Sequence, residues 1–197
     1  MSGSLPLTEF KALNFKSNQK TLVSQADDGT QFTRQVDGQK FSLTLSFPLK
    51  SRTQINPLIA FIMKQRSRKE TFTITLPEYI GSAKGSVAGS PTGTASAGAT
   101  SITLGGTRSG SLLAGDLIKF ASHNKIYMVV TDNSDISSGT LTIEQPLKET
   151  ISGSAITFDS VPITVRLTND MQEFASNSNN KDGELLFNYE LDVVEAI

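Results

Sequence analysis

The sequence predicts an all-β protein: a β-sandwich or barrel with one short helix and a small inserted β-barrel. Three observations predict this class. They are runs in which apolar and polar residues alternate, a single segment with helical spacing, and a change of composition in the middle of the chain. Alternation with a period of two places every second side chain on the same face of a strand. Strands with one buried face and one wetted face are typical of antiparallel sheets.

Four alternating runs outline the larger β unit. Phe41–Phe47 places four apolar side chains on one face and three hydroxyls on the other, and Phe72–Leu76 follows the same pattern. Two further runs near the C-terminus have apolar positions at Val161, Ile163, Val165 and Leu167, and at Leu185, Phe187, Tyr189, Leu191 and Val193. We therefore expect a sandwich that is built from both ends of the chain.

The segment Gln54–Arg66 carries the helical pattern. Asn56 is a candidate N-cap, and Pro57 suits the first helical position, where its missing N–H costs nothing. We expect a helix of about three turns that plugs one open end or edge of the sandwich. Its middle, Leu58–Met63, is apolar on nearly every side, which indicates burial either between subunits or beneath a long loop of the same chain. The positions at helical spacing are Leu58, Phe61, Ile62 and Gln65.

The composition changes at Gly81. Gly81–Gly98 is dominated by Gly, Ser, Ala and Thr. Because such a stretch cannot bury enough apolar surface to fold alone, it is predicted to be a linker, or extended chain lying across another surface. Evenly spaced strands then predict a small barrel over about 99–158. These strands are Ser101–Leu104, Leu117–Phe120, Lys125–Thr131, Thr140–Ile143 and Ala155–Phe158.

The order of these runs predicts the domain organisation. Residues 1–80 and 159–197 form one sandwich domain with the helix at about 54–66, and residues 81–158 hold the linker and the inserted barrel. Such an insertion is tolerated where the two ends of the inserted segment lie close together. A tandem arrangement would leave the strands between Val161 and Val193 without partners.

Composition excludes several function classes. The chain has 197 residues, with 18 basic and 19 acidic side chains, one histidine, no cysteine and no tryptophan. Without cysteine there are no disulfides, thiol nucleophiles or Cys/His zinc clusters. The net charge of −1 favours neither nucleic acid nor anionic lipid as a partner. No apolar run is long enough for a membrane helix, and the N-terminus does not resemble a signal peptide. We expect a soluble protein of intracellular origin that is not an enzyme and is not inserted in a membrane.

Three groups of residues invite a chemical interpretation. His123 could be a general base or a metal ligand, but the neighbouring Asn124 and Lys125 favour the tip of a hairpin. Asp27–Gly29 and Asp132–Asp135 are acidic clusters that a calcium ion could use. Neither cluster has EF-hand spacing, and both contain ordinary turn sequences. Hairpin turns are the preferred interpretation of all three.

Two further motifs are weaker. Gly105–Gly110 has the glycines of a phosphate loop, but it lacks the Gly-Lys-Ser/Thr ending and a following helix. The basic run Lys64–Lys69 has no interleaved aromatic residue to stack on a base, so a solvated helix end or a subunit interface is preferred to a nucleic-acid site. No motif nominates a pair of catalytic carboxylates. The sequence therefore predicts no catalytic, cofactor-binding or metal-binding residue.

Several of these segments resemble parts of known phage proteins. Phe41–Phe47, Ile55–Arg66 and Glu70–Pro77 together look like the N-terminal domain of phage distal tail and baseplate-hub proteins. Gly98–Leu104 and Leu113–Phe120 are similar to a small β module that recurs in phage virion proteins. The resemblance implies a structural protein of the virion, made in the bacterial cytoplasm. It implies a ring, usually a hexamer, that continues the tail tube and anchors hub or receptor-binding parts.

The resemblance also implies partners and no cofactor. The expected partners are further copies of the chain and other tail proteins of the tube, hub and baseplate. Gly81–Gly98 and Ser176–Gly183 are candidates for polar segments that become ordered against such partners, or for ordinary loops. The alternative function is a carbohydrate- or receptor-binding β module of a tail fibre or adhesin. The absence of tryptophan counts against that alternative, and a two-carboxylate hydrolase ranks last.

Overall fold

The all-β fold class is confirmed. A computed structural model describes residues 3–6, 9–137, 139–179 and 183–197. It is 51% strand and 9% helix, with antiparallel sheets and a sandwich-like β fold. Among the described residues, no helix is long and apolar enough to cross a membrane.

The helices are α1 (Arg52–Lys64) and α2 (Glu78–Gly81). The strands are β1 (Ala12–Gln25), β2 (Gln31–Ser46), β3 (Lys50–Ser51), β4 (Phe72–Thr75), β5 (Val87–Ala95), β6 (Ser101–Gly110), β7 (Leu117–Phe120), β8 (Ile126–Met128), β9 (Thr140–Thr142), β10 (Ile151–Thr157), β11 (Pro162–Leu167), β12 (Ala175–Asn179), β13 (Leu185–Asn188) and β14 (Glu190–Glu195).

The chain divides into two compact units, each made of separate stretches of sequence. The first unit comprises Met1–Thr8, Thr71–Val165 and Ala196–Ile197, and the second comprises Glu9–Glu70 and Arg166–Glu195. The predicted sandwich of 1–80 and 159–197, with 81–158 inserted, places the boundaries differently and stays a prediction.

In the second unit β2 is paired on both sides. It is antiparallel to β1, with Leu13 opposite Leu45, and antiparallel to β14, with Leu191 also opposite Leu45. The predicted strand at Phe41–Phe47 is therefore confirmed, and β2 begins further upstream, at Gln31. A separate sheet joins β12, β13 and β3. The apolar residues on the alternating positions are buried, as predicted: Phe41, Leu43, Leu45, Leu191 and Val193.

Helix α1 starts earlier than the sequence suggests. Its N-cap is Ser51, so the prediction that Asn56 caps the helix is wrong, and Pro57 lies inside it. The Ser51 backbone N–H donates to Oε1 of Gln54 at 3.2 Å, which satisfies a backbone donor that the first turn leaves free. This Ser-x-x-Gln pattern sets the start of the helix, although Pro57 removes one hydrogen bond from its interior.

The predicted strand from Leu185 to Val193 is two strands. β13 pairs with β12 and β3, and β14 pairs with β2. Between them, Tyr189 is 1% exposed, and its carbonyl accepts a hydrogen bond from Phe47 N–H at 3.0 Å. Leu185 is half exposed, so its predicted inward position is wrong. Burial alternates from Tyr189 through β14, whereas in β13 the adjacent Leu186 and Phe187 are both half-buried.

The first unit contains the small barrel, with one strand more than expected. Its sheet has the order β8-β7-β10-β5-β6-β9. The chain beyond the two outer strands meets at a bridge between Val129 and Ile143. There Val130 N–H donates to Thr142 O at 3.1 Å and Glu144 N–H donates to Met128 O at 3.0 Å. The sheet therefore curls until its outer strands meet. The core inside consists of Ile102, Leu104, Leu112, Ile118, Phe120, Tyr127, Val129, Ile136, Leu141, Ile143, Leu147, Ile151 and Ile156.

Of the two interpretations of Gly81–Gly98, a linker or extended chain lying across another surface, the linker is wrong for residues 87–95. Val87–Ala95 is β5, which pairs with β6 on one side and with β10 on the other. Its small residues allow close packing. A Cβ on Gly93 would lie 2.8 Å from Cε1 of Phe120 and 3.0 Å from Cγ2 of Ile102. Gly89 has φ +93°, and a Cβ there would collide with the carbonyl of Thr107. The missing side chains at Gly93 and Gly89 therefore allow β5 to pack closely against Phe120, Ile102 and strand β6.

The chain enters and leaves the barrel at adjacent points. Ala83 N–H donates to Phe158 O at 2.8 Å, and Val161 N–H donates to Gly81 O at 2.9 Å. The segment between Ala83 and Phe158 therefore begins and ends in one place, which is the geometry that an insertion needs.

We predict that the barrel can be removed. Replacing residues 84–157 by an Asn-Gly turn joins two hydrogen-bonded positions through a favourable two-residue loop. The shortened protein is expected to keep a β-rich circular dichroism spectrum and a cooperative thermal transition. An aggregated or unfolded product would contradict the insertion and favour Thr71–Val165 as one indivisible unit.

We predict that Gly93→Val lowers the free energy of unfolding by about 1–3 kcal/mol, because overpacking displaces neighbouring core side chains. Chemical denaturation measures the change. Ser90→Val in the same strand is the matched control, since Ser90 is exposed, and it is expected to have little effect. Equal effects of the two substitutions would show that the barrel interior is not tightly packed at Gly93.

Candidate interaction surfaces

The outer halves of β1 and β2 form a hairpin that pairs with no further strand of the described chain. We call residues Lys20–Val36 the arm. Its register runs from Lys20 opposite Val36 to Gln25 opposite Gln31, whereas β14 pairs with β2 only from Ser42 to Ser46. All of its residues are exposed except Ala26 and Val36, which are partly buried. The arm is therefore a two-stranded ribbon with solvent on both faces.

The tip of the arm confirms the hairpin-turn interpretation of Asp27–Gly29. Gly29 has φ +85°, and its N–H donates to Ala26 O at 2.9 Å. Oδ1 of Asp28 accepts the Thr30 N–H at 2.9 Å. This backbone hydrogen bond lowers the pKa of the Asp28 carboxyl. Asp28 therefore has a structural role in the turn.

The two faces of the arm differ in chemistry. Residues that lie opposite each other share a face, so the register separates the side chains into two sets. Face A carries apolar and basic groups: Lys20, Leu22, Ser24, Phe32, Arg34 and Val36. Face B is nearly all polar: Thr21, Val23, Gln25, Gln31, Thr33 and Gln35. On face A, Phe32 is 62% exposed and Leu22 is 50% exposed.

β1 also presents an open edge. It is the outermost strand of its sheet, and over the described part of the chain no backbone group pairs with its free side. The edge of β4, by contrast, is covered. Leu5 N–H donates to Thr73 O at 3.0 Å, and Thr73 N–H donates to Gly3 O at 3.0 Å. An uncovered edge of this length is a template for pairing with another chain.

An acidic groove of about 420 Å³ lies in the second unit. Its lining includes the carboxylates of Glu173, Glu190 and Asp192, together with Met171, which is 82% exposed. Oδ1 of Asp192 accepts the Thr44 hydroxyl at 2.7 Å. Glu173 and Glu190 have no hydrogen-bond or ion-pair partner within the described ranges. We call this surface the acidic groove.

Tyr189 contacts Gln172, one of the residues that line the groove. Its ring stacks on Phe174 with centroids 4.6 Å apart, and its hydroxyl donates to Oε1 of Gln172 at 2.6 Å. Burial, aided by the nearby Asp192, raises the pKa of the Tyr189 hydroxyl well above its usual value. The phenol therefore stays protonated and remains a donor, which fixes the Gln172 side chain in the groove wall.

His123 lies at the tip of the β7–β8 hairpin, as predicted. Its Nε2 is 2.8 Å from the Tyr127 hydroxyl, and its Nδ1 is 3.1 Å from Oγ of Ser122. The Tyr127 oxygen also accepts the Lys148 N–H at 3.1 Å, so its own proton is available for Nε2. Burial lowers the pKa of His123, although nearby Glu149 partly opposes the shift. The lowered pKa favours the neutral imidazole, which links the hairpin tip to Tyr127 and Ser122.

We predict that this histidine makes the barrel sensitive to acid. Because the folded state disfavours the protonated ring, it binds fewer protons than the unfolded state once the pH falls below about 6.5. The wild-type free energy of unfolding is expected to fall between pH 7 and pH 5 more steeply than that of His123→Gln. Denaturation curves across this range measure the difference, and parallel pH profiles would contradict it.

The other acidic cluster and the glycine motif have structural roles. Oδ1 of Asp132 accepts the Ala114 N–H at 2.8 Å, and Oδ1 of Asp135 accepts the Ser137 N–H at 2.9 Å. In the described part of the chain no three His, Asp or Glu side chains are grouped as metal ligands would be. Gly105–Gly110 belongs to strand β6 and pairs with β5, so it is not a loop that could surround a phosphate.

The basic run follows the end of α1. Lys64 is the last residue of the helix, and Arg66 has a positive φ of 52° in the turn that follows. Leu58 and Ile62 are buried, whereas Met63 is 60% exposed, so the helix is not covered all round within the chain. Of the polar segment Ser176–Gly183, residues up to Asn179 belong to β12, and residues 180–182 lie outside the described residues.

The sequence predicts neither the arm with its open edge nor the acidic groove. No family model matches the chain, and no curated protein matches its sequence. A functional assignment therefore depends on the geometry of the arm, the open edge and the acidic groove.

Proposed function

We propose that this protein is a structural subunit of a bacteriophage tail, which assembles with copies of itself into a ring at the distal tail or baseplate. The ring continues the tail tube and anchors hub or receptor-binding parts. The observation that carries the proposal is the arm, a ribbon that leaves the core of the second unit and buries almost nothing within its own chain. The proposed place in the virion follows what the sequence resemblance to distal tail and baseplate-hub proteins implies.

An isolated two-stranded hairpin is marginally stable in water, so a long exposed ribbon gains most of its stability from contact with another surface. Fully burying a leucine or phenylalanine side chain contributes about 1.5–3 kcal/mol each. Leu22 and Phe32, at 50% and 62% exposure, retain much of that contribution for an assembly step. Exposed apolar side chains of this kind are expected in a subunit that functions by assembly, because they become buried only when it binds its partner.

The open edge of β1 favours the same kind of function. Natural sheets usually shorten, charge or cover their edges to prevent association. Here a strand of 14 residues is left outermost. The partners that suit these surfaces are further copies of the chain and the tail proteins of the tube, hub and baseplate. A repeated contact between copies closes into a ring when the rotation per subunit divides the circle.

The native mass tests this proposal. Light scattering over a concentration series is expected to give a particle of several subunits, or a monomer whose mass rises toward one. In the truncated variant, residues 21–35 are replaced by Asn-Gly so that Lys20 and Val36 are joined by a short turn. It is expected to remain monomeric, because it loses the exposed apolar residues.

The thermal transition of the truncated variant is the control for folding. It should stay close to that of the wild type, because β14 pairs with β2 only at Ser42–Ser46, outside the deleted part. A wild-type protein that remains monomeric at every concentration would contradict self-assembly. Screening against glycans would then test the carbohydrate- or receptor-binding module.

A further inference from the structure

We infer that face A of the arm of one copy docks into the acidic groove of a second copy. This inference rests on the proposed function and names the two surfaces that the assembly contact joins. Both surfaces lie in the second unit, and neither is covered by any part of the chain that the structure describes.

The charges of the two surfaces are complementary. Face A holds Lys20 and Arg34 beside the exposed side chains of Leu22 and Phe32. Neither basic group has an ion-pair partner over the ranges that the structure describes. Among the residues that the structure describes, the groove is lined by three carboxylates and no basic residue: Glu173, Glu190 and Asp192. Opposite charges that meet in this way guide encounter and fix the register of a contact.

The apolar content of the two surfaces also matches. At the groove, Met171 is 82% exposed, and its flexible thioether adapts to aromatic and aliphatic partners. Across the arm, Leu22 and Phe32 are diagonal neighbours, because Leu22 lies opposite Arg34 and Ser24 lies opposite Phe32. A contact that buries all three side chains removes the most exposed apolar groups from both surfaces.

The arm cannot occupy the groove of its own chain. Thr44 of β2 contacts Asp192 in the groove at 2.7 Å. On β1, Asn14 lies opposite Thr44 and Leu22 lies opposite Arg34, with a register shift between Asn18 and Lys20. At about 3.3 Å per residue, the ribbon between these two pairs extends roughly 25 Å away from the groove. A second copy must therefore supply the arm. Because arm and groove are different patches, the contact is head-to-tail and generates a ring or a helical stack.

Charge reversal tests the pairing. Arg34→Glu, or Glu173→Lys together with Glu190→Lys, is expected to weaken self-association at least about tenfold in sedimentation equilibrium, since like charges then face each other. Combining the arm and groove variants is expected to restore most of the affinity. The matched control is Gln35→Glu, which places the same negative charge on face B, and it should leave association nearly unchanged.

Cross-linking tests the contact independently of its strength. The chain has no cysteine, so Ser24→Cys on face A and Ala175→Cys in the groove provide the only thiols in a mixture of the two variants. Oxidation is expected to give mainly the mixed dimer. Thr33→Cys on face B replaces Ser24→Cys as the control and should give little product.

The outcomes separate the two proposals. Assembly that survives charge reversal on either surface, or a mixed disulfide that forms equally well from Thr33→Cys, overturns the docking and leaves the ring in place. A monomeric wild type overturns the ring, and the cross-linking result then still decides whether arm and groove meet. Predominant arm-to-arm disulfides would replace the head-to-tail contact by a symmetric one and overturn the inference.

Discussion

The pairing of β2 on both sides, and the loss of one partner part-way along it, is the constraint on which the second unit depends. From Ser42 to Ser46 the strand is hydrogen-bonded to β1 and to β14, and its alternate side chains are buried. Before Lys40 it keeps only β1. The half of β2 that is paired on both sides therefore anchors the arm, which extends into solvent. The same strand also positions Thr44 beside Asp192, so the arm and the acidic groove are set by one element.

The buried strands were predictable because burial leaves a pattern in the sequence. Phe41–Phe47 and Phe72–Leu76 alternate since one of their faces must be apolar, and the structure places a strand at each. β1 escaped prediction for the opposite reason. Its residues are almost all exposed, so nothing forced an alternation. Only the Asp27–Gly29 turn was visible in the sequence, and a turn alone does not reveal how far the strands on either side extend.

The acidic groove was not predictable either. Its carboxylates belong to Glu173 and to two alternate residues of β14, Glu190 and Asp192. How close these side chains come to one another depends on the break between β13 and β14 at Tyr189. The sequence pattern runs through that break unchanged. β5 was missed because strand formation there is driven by pairing on two sides and by the need for small residues such as Gly93, not by apolar side chains of its own. In each case the deciding factor was a tertiary contact that leaves no local signal.

The adjacent ends of the barrel segment have a consequence for how the chain folds. Before the barrel forms, pairing Ala83 with Phe158 would close a loop of about 75 residues, and the entropy cost of closure rises with the logarithm of loop length. The hydrophobic cluster of the barrel lies entirely between these two positions. If that cluster condenses first, it brings Ala83 and Phe158 together and removes most of the closure cost for pairing β4 with β11. In that case the connectivity sets the order of folding. The barrel segment folds first, and the two flanking segments pair afterwards.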